Sequence, residues 1–258
     1  MLLENRVGIV SGIGPGMGRE IALAFAREGA HVVLAARTAA ALEEVAADVR
    51  KLGRRALCVP TDIAKAEDCQ RLADAARKEF GRIDALVNNA FVTTFQTVET
   101  STMDDWRHVF DVNLFGSLQL SQAVIPAMKE QHGGSIVMIN SMSSRIVEPN
   151  MGAYAASKGA LLTAAQTMAR ELGQYGIRVN SVVPGYIWSD KMKAYFEFLA
   201  GQQGTTPEAV KADISSRTAL NHIPDSAEIA DTVVFFASDL SRVVTGQSLD
   251  VNGGHYFH

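Results

Sequence analysis

The stretch Val7-Gly8-Ile9-Val10-Ser11-Gly12-Ile13-Gly14-Pro15-Gly16-Met17-Gly18 runs an apolar segment of strand character into a glycine-rich turn that opens a helical pattern. Outward from it the same unit repeats. Short, nearly uniform apolar runs at residues 6–10, 31–35, 56–60, 85–88, 135–140, 177–183 and 247–251 alternate with helical patterns at 18–28, 39–52, 65–80, 103–129 and 153–175. Runs that are apolar on both faces belong to strands covered by helices on each side, and their alternation with helices winds a parallel sheet. Gly29, Gly53, Gly81 and Gly176 stand where helices should end. Residues 188–222 break the rhythm with an irregular helical stretch carrying Gly201, Gly204 and Pro207, which reads as an insertion over the ligand side of the sheet. The expected fold is therefore α/β: one doubly wound domain over residues 1–258, built on a parallel seven-stranded sheet with helices on both faces.

A chain of 258 residues with 47% apolar side chains can bury a substantial core. Its 24 Lys and Arg against 28 Asp and Glu leave a net charge of −4, which provides no basic footprint for nucleic acid or an anionic membrane. Every apolar run stops short of the roughly 18 residues a membrane helix needs, and the N-terminus has no secretory pattern. The chain reads as cytoplasmic. Cys58 and Cys69 are too few for a disulfide framework or a structural zinc site, so no metal centre is expected and reduced, buried thiols are.

Glycines at a strand-to-helix turn let a diphosphate approach backbone N–H groups at the positive end of a helix, so the opening stretch points to a dinucleotide. Further on stand Asn88-Asn89-Ala90, Asn113, Ser141, Tyr154-Ala155-Ala156-Ser157-Lys158 and Pro184-Gly185. Taken together and in this order, they make the chain resemble the classical short-chain dehydrogenase/reductase family over essentially its whole length. Ser11, Gly12, Gly16 and Gly18 match that family's glycine pattern, with Ser11 in place of the usual threonine. Tyr154 and Lys158 match its Tyr-x-x-x-Lys pair, and Ser141 its serine thirteen residues earlier. The resemblance implies a Rossmann-type fold and an NAD(P)-dependent oxidoreductase acting on a carbonyl or secondary alcohol.

Reducing a ketone needs a hydride from nicotinamide and a positioned acid at the carbonyl oxygen. Tyr154 is the candidate acid, although a free phenol has a pKa near 10. Lys158 lies one helical turn on, on the same face, where its ammonium, with the positive ring of the oxidised cofactor, should lower that pKa. Ser141, at the end of the fifth strand, could hold the substrate oxygen. The resemblance adds that Lys158 also holds the nicotinamide ribose, and that Asn113 holds a water relaying protons to the lysine. It further places Ser11, Gly12, Gly16, Met17, Gly18, Asp62, Ile63, Asn89, Ala90, Pro184, Gly185, Ile187 and Ser189 along the cofactor. Ordinary structural readings stand beside these: a half-buried helix tyrosine, a strand-end serine, a hydrogen-bonded core asparagine, and a helix cap for Asp62.

About 20 residues past the glycine turn, NAD-selective folds carry an acid. Here the position is Ala36, followed by Arg37, which favours NADP(H) while leaving NAD(H) open. The family's Asn-Asn-Ala-Gly becomes Asn88-Asn89-Ala90-Phe91, so Phe91 either walls the substrate pocket or packs under a loop. Phe91, Phe95, Met142, Met151, Tyr186, Trp188, Tyr195, Phe196, Phe198 and Leu199 suggest a small apolar substrate, although Phe196 and Leu199 could instead pack the insertion against the body. Two rivals remain. A 3-oxoacyl-[acyl-carrier-protein] reductase is weakened because His132 and Tyr175 stand where such relatives present arginines near the active-site mouth. A non-catalytic dinucleotide-binding protein is weakened because no catalytic group is missing. An enoyl reductase is disfavoured by the four-residue spacing from Tyr154 to Lys158. The resemblance also implies a homotetramer, with Ala160, Ala164 and Ala165 permitting close helix packing and the aromatic tail 253–258 covered by a neighbour.

Overall fold

The computed structural model describes residues 1–257. Seven strands, β1 (Val7–Ser11), β2 (His31–Ala36), β3 (Ala56–Pro60), β4 (Ala85–Asn88), β5 (Gly134–Ile139), β6 (Ile177–Pro184) and β7 (Ser248–Val251), form one sheet in the order β3-β2-β1-β4-β5-β6-β7. Every neighbouring pair is parallel. Each strand falls within two residues of its sequence expectation.

The uniform apolar character of the strands divides by alternation. Val10, Val32, Leu34, Val87, Val137 and Val182 point to one face, where they pack with helices α1 (Met17–Arg27), α2 (Ala39–Lys51) and α9 (Ser226–Ala237). Ile9, Val33, Leu86, Ile136, Met138 and Val179 point to the other, against α3 (Ala66–Phe80), α5 (Ser117–Glu130) and α6 (Gly152–Leu172). Period-two side chains on a twice-covered sheet require this split. Helix α9 has no counterpart among the helical patterns read from the sequence. Its start is nonetheless capped in both directions: Asp225 accepts from Ala227 and Glu228 N–H, while Glu228 accepts from Asp225 N–H.

Two expectations need correction. The helical pattern at 103–129 is interrupted: α4 (Met103–Phe110) passes into a π-helical turn, Asp111–Gly116, before α5 begins. Gly116, at the end of that turn, packs so close to Ile63 that a Cβ there would lie 2.8 Å from its side chain. The pattern at 153–175 ends as helix at Leu172 and closes in a 3₁₀ turn, Gly173–Tyr175.

Strand order reverses between β1 and β4, so the crevice for a ligand lies beyond the carboxyl ends of those strands. The insertion lies beyond the carboxyl end of β6 as α7 (Asp190–Gln203) and α8 (Pro207–Ser216). These two helices enclose a separate apolar cluster of Phe196, Ala200, Val210, Ile214 and Ile223. Both cysteines are free, and burial raises the thiol of Cys58 to about 12 and that of Cys69 to about 11.

Candidate active site

The glycine turn after β1 is held shut from behind and open in front. Gly12 takes φ +76°, and a Cβ on it would stand 2.5 Å from the Ala90 backbone. At Gly18 a Cβ would meet the Gly12 carbonyl oxygen at 2.3 Å. Asn89 fastens this contact: its side-chain amide donates to the Gly12 carbonyl at 2.9 Å, and its N–H donates to Ser11 Oγ at 3.2 Å. Gly14 and Gly16 face open space, with no heavy atom within 4 Å of where a Cβ would be. Gly16 is the N-cap of α1 and no side chain caps that helix, so the N–H groups of Met17 and Gly18 end in the positive pole of the helix dipole. An open, uncapped cradle of this kind fits the diphosphate of a dinucleotide.

The residues expected along the rest of a cofactor are spread around this turn. Arg37 follows the end of β2, is exposed, and has no hydrogen-bond or ion-pair partner among the described residues. Asp62 is not a cap for α3, whose N-cap is Lys65; its Oδ1 accepts from Ala64 N–H, and its own N–H donates to Asp68. The Ile63 side chain is buried against Gly116. Pro184 ends β6, and Gly185 lies so close to Asn252 that a Cβ would approach it to 2.8 Å. Ile187 packs on the core, while the Ser189 hydroxyl caps α7 by accepting from Met192 N–H.

Ser141, Tyr154 and Lys158 meet at the carboxyl end of β5. Ser141 is extended, two residues past the strand, and its Oγ accepts from Ser143 N–H at 3.2 Å. The loop it starts is tied to β7 by Arg145, which pairs with Asp250 at 3.2 Å and donates to Ser248 Oγ at 2.8 Å. Lys158 is 2% exposed, and its Nζ donates to the Ile139 carbonyl at 2.7 Å. Burial pushes Lys158 down to about 7. Tyr154 moves the other way: burial raises its pKa, and hydrogen bonding from Ser141 pulls it partly back. The sequence expectation of a lowered Tyr154 concerns the site with the positive ring of the oxidised cofactor beside it; in the chain by itself, burial is the larger effect on Tyr154. Lys158 Nζ is 5.7 Å from the tyrosine ring centroid and donates to a carbonyl, and burial lowers its affinity for a proton.

Asn113 is wholly buried in the π turn, with its side chain fully engaged. Its Oδ1 accepts from Val92 N–H at 2.8 Å, and its Nδ2 donates to the Val92 carbonyl and to Ser157 Oγ, both at 3.0 Å. Ser157 in turn donates to the Tyr154 carbonyl at 2.7 Å. Asn113 thus clamps the segment after β4 onto the turn of α6 that bears Tyr154. Ser157 and the Arg145–Asp250 pair carry no role in the sequence reading. Ser157 could have been noticed, since it lies between the tyrosine and the lysine. The ion pair joins residues more than 100 apart and left no local signal.

Of the candidate pocket aromatics, Phe95, Tyr195 and Phe198 are exposed, and the others divide into two groups. Phe196 is fully buried in the insertion's own cluster, with Tyr186, Trp188 and Leu199 packed on it and Lys211 Nζ 3.9 Å from the Trp188 ring centroid. These side chains hold the insertion together. Phe91 does face the site: its ring meets Tyr154 edge-on at 6.0 Å. Tyr186 also stacks at 5.7 Å on His255 of the C-terminal tail. His132 and Tyr175 precede β5 and β6 and so lie at the opposite end of the sheet from Ser141 and Tyr154. Their placement near the active-site mouth is corrected, and they no longer weigh against an acyl-carrier substrate. A cleft of about 460 Å³ at that opposite end is lined by Arg6, Arg82 and Arg178. Arg82 pairs with Asp84 and Arg6 with Asp239, while Arg178 caps the end of α9 through the Phe236 and Ser238 carbonyls.

A profile of the family described as Enoyl-(Acyl carrier protein) reductase matches residues 12–256. The 7alpha-hydroxysteroid dehydrogenase of Escherichia coli is 34% identical over 252 residues, covering 98% of this chain and 94% of that protein. Among solved structures, NAD+-bound xylitol dehydrogenase superposes with a TM-score of 0.91 at 33% identity, covering 98% of this chain and 100% of the other. L-Sorbose reductase from Gluconobacter frateurii, complexed with NADPH and L-sorbose, superposes with a TM-score of 0.93 at 27% identity, covering 99% and 98%.

Proposed function

The chain belongs to the classical short-chain dehydrogenase/reductase family, and from that premise we propose that it interconverts an apolar ketone and its secondary alcohol with NADP(H). The observation that carries this reading is the meeting of Ser141, Tyr154 and Lys158 at one strand end beside the open cradle of the glycine turn. When bound, the nicotinamide supplies or accepts the hydride. Ser11, Gly12, Gly16, Met17 and Gly18 would hold the diphosphate side, with Asp62, Ile63, Asn89 and Ala90 along the adenosine, Pro184, Gly185, Ile187 and Ser189 along the nicotinamide, and Lys158 at its ribose. Tyr154 gives its hydroxyl proton to the substrate oxygen in reduction and takes it back in oxidation. Ser141 Oγ donates a hydrogen bond to the same oxygen. Lys158, near pH 7 by its burial, exchanges a proton at neutral pH without leaving its anchor on Ile139. Asn113 keeps the Tyr154 turn and the Val92 segment in register. The proton-relaying water belongs to the same proposal.

Apolar specificity is supported by Phe91 beside Tyr154 and by the relative named for a hydroxysteroid, whereas two similar structures are named for a polyol and a sugar. The deciding experiment is a panel of cyclic ketones, sugars, phosphorylated ketones and acyl thioesters run with NADPH and NADH. Apolar ketones are expected to give the highest kcat/KM, and a win by phosphorylated or carboxylate substrates would overturn the apolar reading. An acyl thioester winning would put the acyl-carrier reading ahead of it.

NADP(H) preference rests on Arg37, exposed and uncommitted where an NAD-selective fold would carry a carboxylate. Exchanging Ala36 for Asp together with Arg37 for Ala is expected to move the NADPH/NADH ratio of kcat/KM toward NADH by at least about tenfold. An unchanged ratio would place selectivity elsewhere. The proposal keeps a cytoplasmic homotetramer, with one revision: Ala165 is buried in its own chain's core, which leaves Ala160 and Ala164 to face a neighbour. His258 of the proposed tail contact lies outside the described residues. A mass near 27.7 kDa by light scattering would refute assembly.

A further inference from the structure

Phe91 stands where the family pattern has glycine, yet its backbone is not among the residues with positive φ, so a side chain is carried there without strain. The chain is clamped on either side of it. Ala90 lies against Gly12, and both backbone polar groups of Val92 are bonded to the Asn113 side chain. The backbone that carries the ring is thus held on both sides. It meets Tyr154 edge-on, with centroids 6.0 Å apart and planes at 61°, and its centroid lies 5.9 Å from Lys158 Nζ. Even so, Phe91 is 49% exposed, so about half of a large apolar side chain remains uncovered directly beside the reacting groups.

We propose that Phe91 is the specificity-determining residue of this site: its ring roofs Tyr154 and Lys158, and its exposed face seats a cyclic apolar substrate beside the Tyr154 hydroxyl. This deepens the functional reading above and rests on it. A flat or ring-shaped ketone covers the exposed face and gains the burial that water now denies, whereas a short linear ketone covers little of it. The roof also acts on Lys158. An aromatic ring in place of a glycine keeps water from the ammonium, and the quadrupole of the ring only partly replaces that hydration.

The test compares a bicyclic ketone such as decalone with butanone, using NADPH, in the wild type and in Phe91→Ala, Phe91→Gly and Phe91→Tyr. Phe91→Ala and Phe91→Gly are expected to lower the cyclic-over-linear ratio of kcat/KM about tenfold, mostly through KM for the cyclic substrate. Phe91→Tyr should restore the ratio. In the same two variants, water that reaches Lys158 should raise its pKa, read as an upward shift in the pH profile of kcat/KM relative to the wild type. Equal losses for both ketones, or an unmoved ratio and pH profile, would overturn the proposal and leave Phe91 a packing residue. A wild type that reduces neither ketone would overturn the functional reading itself, a result distinct from a changed or unchanged ratio. Thermal unfolding of each variant separates a loss of fold from a loss of selectivity, and Phe91→Tyr reports on the site even if the smaller residues unfold it.

Discussion

Replacing Tyr154 with Phe is expected to lower kcat about 10³-fold while NADPH still binds with its wild-type affinity. General acid catalysis by a positioned group contributes about 10²–10⁴-fold, and at this site the phenol is the acid proposed to face the substrate oxygen. Losing 10³-fold corresponds to about 4 kcal/mol of barrier. The variant removes one oxygen and leaves the ring, so the edge contact with Phe91 and the backbone bond from Ser157 are retained. The glycine cradle is on another element and is untouched. Stopped-flow titration of NADPH fluorescence beside steady-state turnover separates the two effects. Turnover within a few-fold of the wild type would remove Tyr154 from the mechanism.

Replacing Lys158 with Met is expected to cut both turnover and nicotinamide affinity and, at the same time, to stabilise the protein below pH 7. Lys158 is buried, bonded to a neutral carbonyl, and burial lowers its pKa from 10.5 to about 7. Below about pH 7 the folded chain carries an ammonium with no carboxylate partner, and its burial cost is fully present. Between about 7 and 10.5 the unfolded chain binds a proton that the folded chain has released, so the Lys158 contribution to stability rises with pH across that window. Above it the cost is gone. The shift corresponds to no more than about 5 kcal/mol, and the lost bond to Ile139 returns about 1 of these. A net gain of about 2–4 kcal/mol for Lys158→Met at pH 6, shrinking as pH rises to 9, is therefore expected from urea unfolding at each pH. A difference between variant and wild type that does not change with pH would mean that Lys158 is hydrated and charged throughout.

The second prediction rests on burial that no local stretch of the chain reveals. The reading from sequence placed Tyr154 and Lys158 on one helix face and beside Ser141, and all three meet there. From sequence, the Lys158 ammonium together with the positive ring of the oxidised cofactor should lower Tyr154; the tertiary structure adds burial, which moves the lysine down and the tyrosine up in the chain by itself. Neighbours four apart on a helix are a local property. How much water a side chain loses depends on β5, the Val92 segment and Phe91, which come from distant parts of the chain.

The same division runs through the rest of the molecule. Uniform apolar runs, glycine stops and the turn at Gly12–Gly18 were enough for seven strands and their common direction, because period, propensity and turn chemistry act within about a dozen residues. Tertiary structure decided the rest. Asn113 is committed to Val92 and Ser157, Arg145 to Asp250, and Phe196 to a core inside the insertion, while Phe91 is left open beside Tyr154. Each of these outcomes is a competition among side chains for partners and for burial. That competition is settled only when segments far apart in sequence are brought within a few ångströms, where desolvation and hydrogen-bond geometry take effect.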